Sequence, residues 1–359
     1  MMIVTTTWKH NFTNYANLEN INESGKQHLE IMQPLSTKKI CLELNNLYDE
    51  LPLQITSIVI YSDSKTKYSV TLDGKKQFSI EPHLVEYSDW IDVDLPANNF
   101  LSIDIISPNK TIHSAGLTIS NDLVKTKDQT AGVSKYFFGV SGIQVQTQKV
   151  QKRIAFFGDS LTNQGNFSAP LALELEIKFH IMTANYGISG NRLLHPGHST
   201  SQWSTSFGEA GLTRFDHMLI DYRPNLVIFM EGVNDLLHPG TGAPENELPT
   251  ASAIIKAIHL LKQKCKQFNI TFVPMTITPA LGNINGNVQG FNDQKETIRL
   301  EVNQELMKMP HIIDLANLVG ENGRLKKEFD SGDHVHFSSN GGQKVSEYIK
   351  EQLIRKRMI

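Results

Sequence analysis

The chain has 359 residues, 40% of them apolar, with 34 lysines and arginines against 37 aspartates and glutamates. This length favours two domains, and a net charge of −3 gives no basic surface for nucleic acid or an anionic membrane. Because there are only two cysteines, no apolar run near the ~20 residues of a membrane span and no signal-peptide pattern at the start, we expect a cytoplasmic protein without a disulfide framework.

Before about residue 150, short segments alternate apolar and polar residues as half-buried strands do. The clearest are residues 40–44, 68–72 and 101–105. Asp73-Gly74 follows the second segment and precedes QFSIE, which predicts a hairpin. Without convincing long amphipathic helices, the pattern predicts an antiparallel β-sandwich over residues 1–148. Its role is left open between a structural cover, a surface that pairs subunits in a homo-oligomer, and a carbohydrate-binding module.

From residue 149 onward, apolar strands alternate with helical segments. The predicted strands are 153–157, 181–184, 225–230, 271–276 and 311–314, and the predicted helices are 168–178, 212–222, 251–268, 292–307 and 340–355. Such alternation predicts an α/β domain over residues 149–359, with a doubly wound, mainly parallel sheet of the flavodoxin-like kind. Ligands of such sheets bind beyond the carboxyl ends of the strands.

Four short clusters stand at those expected strand ends. They are GDSLT (158–162), GISGN (187–191), GVND (232–235) and DHVH (333–336). Ser160 can expose its hydroxyl between a strand and a helix, although the same pattern is typical of a turn and helix cap. Gly190 lets a backbone N–H approach a ligand, and Asn234 can aim an amide at developing negative charge. Asp333 can hold the imidazole of His336, which is then free to take a proton from Ser160.

In this order the clusters resemble those of the SGNH hydrolases, also called the GDSL family of lipases and esterases, which are named for a serine, a glycine, an asparagine and a histidine in four blocks. The separations of 30, 44 and 102 residues leave room for strand–helix units between them. The resemblance implies that Ser160 is the nucleophile and His336 the general base, oriented by Asp333. It also implies an oxyanion hole made of the Ser160 and Gly190 backbone N–H groups and the Asn234 amide.

The segments GISGNRLL, GEAGLTRFD and EGVNDL further resemble a two-domain branch of these esterases with a β-rich N-terminal region. His334 does not lie three residues after an aspartate and is interpreted as a neighbour of the catalytic histidine. Residues 195–207, which include Trp203, look inserted, and they are interpreted either as a lip over the substrate pocket or as a surface loop.

The resemblance implies a serine esterase that acts on small short-chain esters, with acetyl esters on carbohydrates as the leading substrate. An acyltransferase, a lysophospholipase or a thioesterase could use the same residues, and a non-catalytic glycan-binding protein is the alternative from another class. No metal or organic cofactor is expected, since this chemistry needs neither. His195, His198 and His238 follow no metal-ligand spacing.

Overall fold

The computed structural model describes residues 2–16, 25–62, 66–119, 122–127, 136–197, 200, 203–285 and 287–359. They divide into two compact units, one made of Met1–Lys152 and Ala172–Ala184 and the other of Arg153–Leu171 and Asn185–Ile359. The domain boundary between residues 148 and 149 stays a prediction. Within the described ranges, no helix is long and apolar enough to cross a membrane.

The first 150 residues form strands in the part of the chain that is described. The strands are β1 (Ile3–Lys9), β2 (Thr13–Asn14), β3 (Lys26–Gln33), β4 (Thr37–Asn46), β5 (Leu53–Ile55), β6 (Ser57–Tyr61), β7 (Lys67–Ser69), β8 (Phe78–Ile80), β9 (Leu84–Tyr87), β10 (Ile91–Leu95), β11 (Asn99–Ile106), β12 (Ser114–Leu117), β13 (Val124–Lys127) and β14 (Tyr136–Thr147).

Most of these strands belong to two antiparallel sheets. One has the order β10-β4-β14-β12-β2, with β1 also on β14 and β9 also on β4; the other has the order β13-β3-β11-β6-β7. Alternate residues of both sheets enter one hydrophobic core, such as Leu42 and Leu44 from β4 and Leu101 and Ile103 from β11. Two sheets that share one core make a sandwich, as the period-two pattern predicted.

The predicted hairpin at Asp73-Gly74 is half right. Both residues have positive φ (52° and 75°), and Leu72 and Lys75 exchange two backbone hydrogen bonds, so the tight turn is present. The strand after the turn, β8, pairs with β5 instead of with the segment before the turn. The sequence of a turn fixes only where the chain reverses. The strand's partner follows from burial, since Ile80 of β8 is completely buried in the core.

The second half of the chain alternates strands and helices. The elements are β15 (Lys152–Gly158), α1 (Ser160–Asn163), α2 (Ser168–Phe179), β16 (Ile181–Gly187), α3 (Gly211–Asp221), β17 (Leu226–Met230), α4 (Val233–Leu237), α5 (Ala251–Gln267), β18 (Thr271–Pro274), β19 (Ile284–Asn285), β20 (Val288–Gln289), α6 (Asp293–Leu306), α7 (Leu315–Val319), β21 (Gly320–Glu321), β22 (Arg324–Leu325) and α8 (Ser339–Arg355).

The main sheet of this half has the order β16-β15-β17-β18. β15 runs parallel to β17, and β17 runs parallel to β18. All five residues of β17 are buried, which is typical of a central strand of a parallel sheet covered on both faces. The strand predicted at 311–314 is reduced to one parallel bridge between Met275 and Ile313. The predicted fold class, an antiparallel β-sandwich followed by an α/β domain with a parallel sheet, is confirmed.

Candidate active site

Ser160 is the first residue of α1 and comes two residues after the end of β15. Asp159 caps this helix, because its carboxylate accepts a hydrogen bond from the Leu161 N–H at 3.0 Å. Ser160 is only 6% exposed. The junction of strand and helix therefore holds the hydroxyl in a nearly buried position at the carboxyl end of the sheet.

The Ser160 hydroxyl lies against the imidazole of His336. The distance from Ser160 Oγ to His336 Nε2 is 2.7 Å, and His336 Nδ1 lies 2.5 Å from Asp333 Oδ2. A carboxylate only accepts hydrogen bonds, so Nδ1 must carry the ring proton, and Nε2 is left as the acceptor for Ser160. The three side chains form a relay that can take a proton from a serine as it attacks a carbonyl.

The charge of Asp333 is stabilised locally. Partial burial raises its pKa, but the hydrogen bond and the charge of His336 and the backbone N–H groups of Val335 and His336 outweigh burial and hold the pKa well below its usual range. Those N–H groups donate to Oδ1 at 3.0 and 2.8 Å, so Oδ2 remains directed at the imidazole. The carboxylate thus stays ionised at any pH near neutrality.

Gly190 occupies a turn that only glycine accommodates well. Its φ is +77°, and a Cβ atom at this position would overlap the ring of Phe207. The turn is tied to the first block, since the Ile188 N–H donates to the Gly158 carbonyl at 3.0 Å. The backbone of Gly190 is therefore held beside the strand that leads into Ser160.

Asn234 lies in the first turn of α4, directly after β17. Its side-chain amide donates a hydrogen bond to the Asn191 carbonyl at 2.9 Å, which joins the third block to the residue after Gly190. An amide has two N–H donors, so this bond fixes its orientation while the second N–H can serve a substrate oxygen. The five predicted site residues are thus brought together through direct contacts or through the neighbouring backbone.

Asp235 has a role that sequence reasoning missed. Its buried carboxylate accepts the backbone N–H groups of Leu193 and Leu194 at 2.7 and 2.9 Å, and so fixes the loop that follows Gly190. Burial raises the pKa of Asp235 to about 6, although these two hydrogen bonds and Arg192 favour its charged form. The sequence signal for this role is the aspartate that ends the GVND motif.

Other residues considered in the sequence lie apart from this relay. His334 pairs with Asp330, with His334 Nδ1 2.7 Å from Asp330 Oδ2, and not with Asp333. Trp203 precedes a short 3₁₀ helix at Ser204–Phe207. Of the three histidines with no metal-ligand spacing, His198 lies outside the described residues. Among the described residues, no three His, Cys, Asp or Glu side chains form a group that could hold a metal.

Comparisons with known proteins give a family and a set of similar folds. Residues 156–344, more than half of the chain, match the GDSL-like Lipase/Acylhydrolase family. A GDSL-like lipase from Bacteroides thetaiotaomicron VPI-5482 is similar in structure with 19% identity, 58% of this chain and 92% of that chain covered, and a TM-score of 0.42. An acetylxylan esterase from Geobacillus stearothermophilus is similar at 16% identity over 57% of this chain and 96% of that one, with a TM-score of 0.39. A search of curated proteins found no match.

The chain therefore belongs to the GDSL-like lipase/acylhydrolase family, and it is a carboxylic ester hydrolase. The family match begins within β15 and extends into α8, so it includes all four sequence blocks.

Proposed function

We propose that this esterase cleaves short-chain esters, above all acetyl esters of sugars and other small alcohols, through an acyl-enzyme on Ser160. The observation that carries the mechanism is the continuous contact from Asp333 Oδ2 through His336 to Ser160 Oγ, at 2.5 and 2.7 Å. We assign the oxyanion hole to the backbone N–H groups of Ser160 and Gly190 and to the Asn234 amide.

In the first half of the reaction, Ser160 Oγ forms a bond to the ester carbonyl carbon while its proton passes to His336 Nε2. The carbonyl electron pair moves onto its oxygen, where the preorganised donors stabilise the negative charge. When the carbonyl re-forms, the bond to the alcohol oxygen breaks, and His336 returns its proton to the departing alcohol. Asp333 stabilises the imidazolium that exists between these two transfers.

In the second half, water replaces the alcohol. His336 takes one proton from the water as its oxygen attacks the acyl carbon, and the bond from that carbon to Ser160 Oγ breaks. Ser160 recovers the proton, and the carboxylic acid leaves. Every proton that moves has a donor or acceptor in the chain, so no cofactor is required in this proposal.

Two features support a small, uncharged ester. The ring of Phe207 lies directly against Gly190, so the space beside the proposed oxyanion hole is narrowed on that side. Two buried guanidinium groups near the site are engaged by carboxylates and so are not available to an anionic substrate: Arg192 lies 2.6 Å from Glu247 and Arg214 lies 3.2 Å from Glu231. A phosphorylated or strongly anionic substrate would need a cation that is available to it.

The cytoplasmic location and a homo-oligomer stay predictions from the sequence.

The covalent step is tested by labelling with a fluorophosphonate probe. The wild-type protein should be labelled, Ser160→Ala should not, and Ser346→Ala, which changes a buried serine in α8, should be labelled like the wild type. Folding of each variant is checked by circular dichroism. A folded wild-type protein that resists the probe would contradict the serine-hydrolase mechanism.

The substrate class is tested with p-nitrophenyl esters of increasing chain length, together with acetylated sugars. An optimum at two carbons with release of acetate from sugars supports the proposal, whereas an optimum at eight carbons or more indicates a lysophospholipase or lipase. Product analysis with sugar acceptors separates hydrolysis from acyl transfer. Acyl-thioester substrates in the same series test a thioesterase.

A further inference from the structure

Arg214, on α3, reaches all three strand-end blocks that precede the catalytic histidine. Its Nε donates to Asn191 Oδ1 at 2.5 Å, its Nη1 to the Tyr186 carbonyl at 2.5 Å and its Nη2 to the Gly158 carbonyl at 2.8 Å. Nη2 also lies 3.2 Å from Glu231 Oε1, and the guanidinium stacks 3.9 Å from the centre of the Phe157 ring. One planar group therefore connects the end of β15, the loop after β16 and the end of β17.

The bond to Asn191 continues into the proposed oxyanion hole. Asn191 is completely buried; its carbonyl receives the Asn234 amide, and its side-chain amide donates to the carbonyls of Phe207 and Glu209 at 2.6 and 2.7 Å. It also comes directly after Gly190 in the chain. A displacement of the Asn191 side chain would therefore also shift Asn234 and Gly190.

The bond to Gly158 acts on the nucleophile's side. Gly158 is the last residue of β15, two residues before Ser160, and its carbonyl accepts both the Arg214 guanidinium and the Ile188 N–H. The backbone segments next to Ser160 and Gly190 are thus both hydrogen-bonded to the same guanidinium. A lysine could not replace it, since a single ammonium lacks the planar fork that reaches several acceptors in fixed directions.

The partner of Arg214 is a buried carboxylate. Burial raises the pKa of Glu231, and the guanidinium of Arg214 works against that rise and favours the ionised carboxylate. A buried ion pair contributes little net stability, because removing both charges from water offsets most of their attraction. Fold stability therefore does not explain why this ion pair is buried. The hydrogen bonds from Arg214 to the sequence blocks give a direct reason for placing a guanidinium there.

We propose that Arg214 is a positioning residue for ester hydrolysis, which holds Asn234 and Gly190 through Asn191, and Ser160 through Gly158, in their catalytic arrangement. This inference rests on the proposed function, since it concerns the oxyanion hole assigned there. Arg214 itself touches no reacting atom; it acts by fixing donors that must already be in place when the negative charge develops.

The test is Arg214→Lys with p-nitrophenyl acetate as substrate. We expect kcat to fall about 10-fold to 100-fold with KM within about threefold of wild type, because the affected donors act mainly on the transition state. The matched control is Arg299→Lys, which changes another buried arginine that donates to the Ile277 carbonyl and pairs with Glu296. The control should lose stability while kcat stays close to wild type.

The coupling between Arg214 and Asn234 distinguishes a positioning role of Arg214 from a merely structural one. In an Asn234→Ala background, Arg214→Lys should lower kcat by a factor at least about threefold smaller than in the wild type, since the donor it positions is already gone. If Arg214→Lys does not fold, Asn191→Ala removes the acceptor of the hydrogen bond from Arg214 Nε and should show the same coupling to Asn234.

Equal factors in both backgrounds, or a kcat that Arg214→Lys leaves unchanged, would overturn the positioning role. The wild-type enzyme in the same assay keeps the two proposals apart. If it neither hydrolyses the ester nor reacts with the fluorophosphonate, the proposed function itself fails. If it is active and the variants show no coupling, only this inference fails.

Discussion

Replacing Asn234 by alanine tests the proposed oxyanion hole most directly. The variant loses the N–H that would serve the substrate oxygen, and removal of one such donor lowers kcat by about 10²–10³, equivalent to ~2.7–4 kcal/mol of transition-state stabilisation. The ground-state carbonyl carries much less charge than the oxyanion, so KM should change little. Steady-state hydrolysis of p-nitrophenyl acetate, with active sites counted by fluorophosphonate labelling, measures both constants.

The same change also affects stability, and the two effects must be separated. Asn234→Ala leaves the buried Asn191 carbonyl without the 2.9 Å hydrogen bond from the amide, which costs ~1–3 kcal/mol in the free energy of unfolding. For a domain of about 200 residues this lowers the thermal midpoint by ~2–4 °C per kcal/mol. Activity is therefore measured well below the midpoint of the variant.

Asn303→Ala is the matched control. Asn303 is another nearly buried asparagine, and it exchanges two 2.8 Å hydrogen bonds with the backbone of Ile277. Its loss should destabilise the fold without a large change in kcat. The oxyanion-hole assignment is refuted if Asn234→Ala keeps kcat within about threefold of wild type, or if Asn303→Ala loses as much activity.

Three further predictions concern charge. Asp333→Asn should lower kcat by about 10³–10⁴, because the ring tautomer of His336 is no longer fixed, whereas Asp330→Asn, on the same loop but paired with His334, should stay near wild type in the same ester assay. Because its pKa is lowered, Asp333 should stay ionised in the folded enzyme from pH 5 to 8, as measured by the chemical shift of its carboxyl carbon in nuclear magnetic resonance; protonation within that range would contradict the assignment. Burial raises the pKa of Glu176 from 4.5 to about 8, so the folded state binds this proton more tightly than the unfolded state, and stability falls as pH rises between those values. Glu176→Gln should therefore raise the thermal midpoint above pH 8 and have no such effect below pH 4, as measured by thermal unfolding across pH; an equal shift at both ends would contradict the assignment.

Much of the site could be predicted because its functional residues lie in short sequence motifs. Each of the first three blocks combines a strand end with a short polar motif, and the fourth precedes the last helix. The carboxyl ends of parallel strands meet at one edge of a sheet. The order of Ser160, Gly190, Asn234 and His336 therefore predicts that these residues meet at one site. His336 could be distinguished from His334 as the partner of Asp333 because the three-residue spacing is itself local.

Pairings over long separations were decided by the tertiary structure. The turn at Asp73-Gly74 was readable, yet the partner of β8 was chosen by burial of apolar side chains in the sandwich core. The strand predicted at 311–314 contributes a single bridge, because apolar residues in a short run do not specify how long a ladder continues.

Arg214 shows the same limit in the site itself. In the sequence it lies in the family-like segment GEAGLTRFD, but that segment does not indicate that Arg214 is buried or that it faces residues 23 and 56 positions away. The sequence by itself indicated the α/β class through its periodicity and the four blocks through their short motifs, and the resemblance of those blocks to a known family implied the reaction type. Only the packing of α3 against the strand ends decided which buried charge positions those blocks. The sequence does not show where the folded chain places the Arg214 guanidinium.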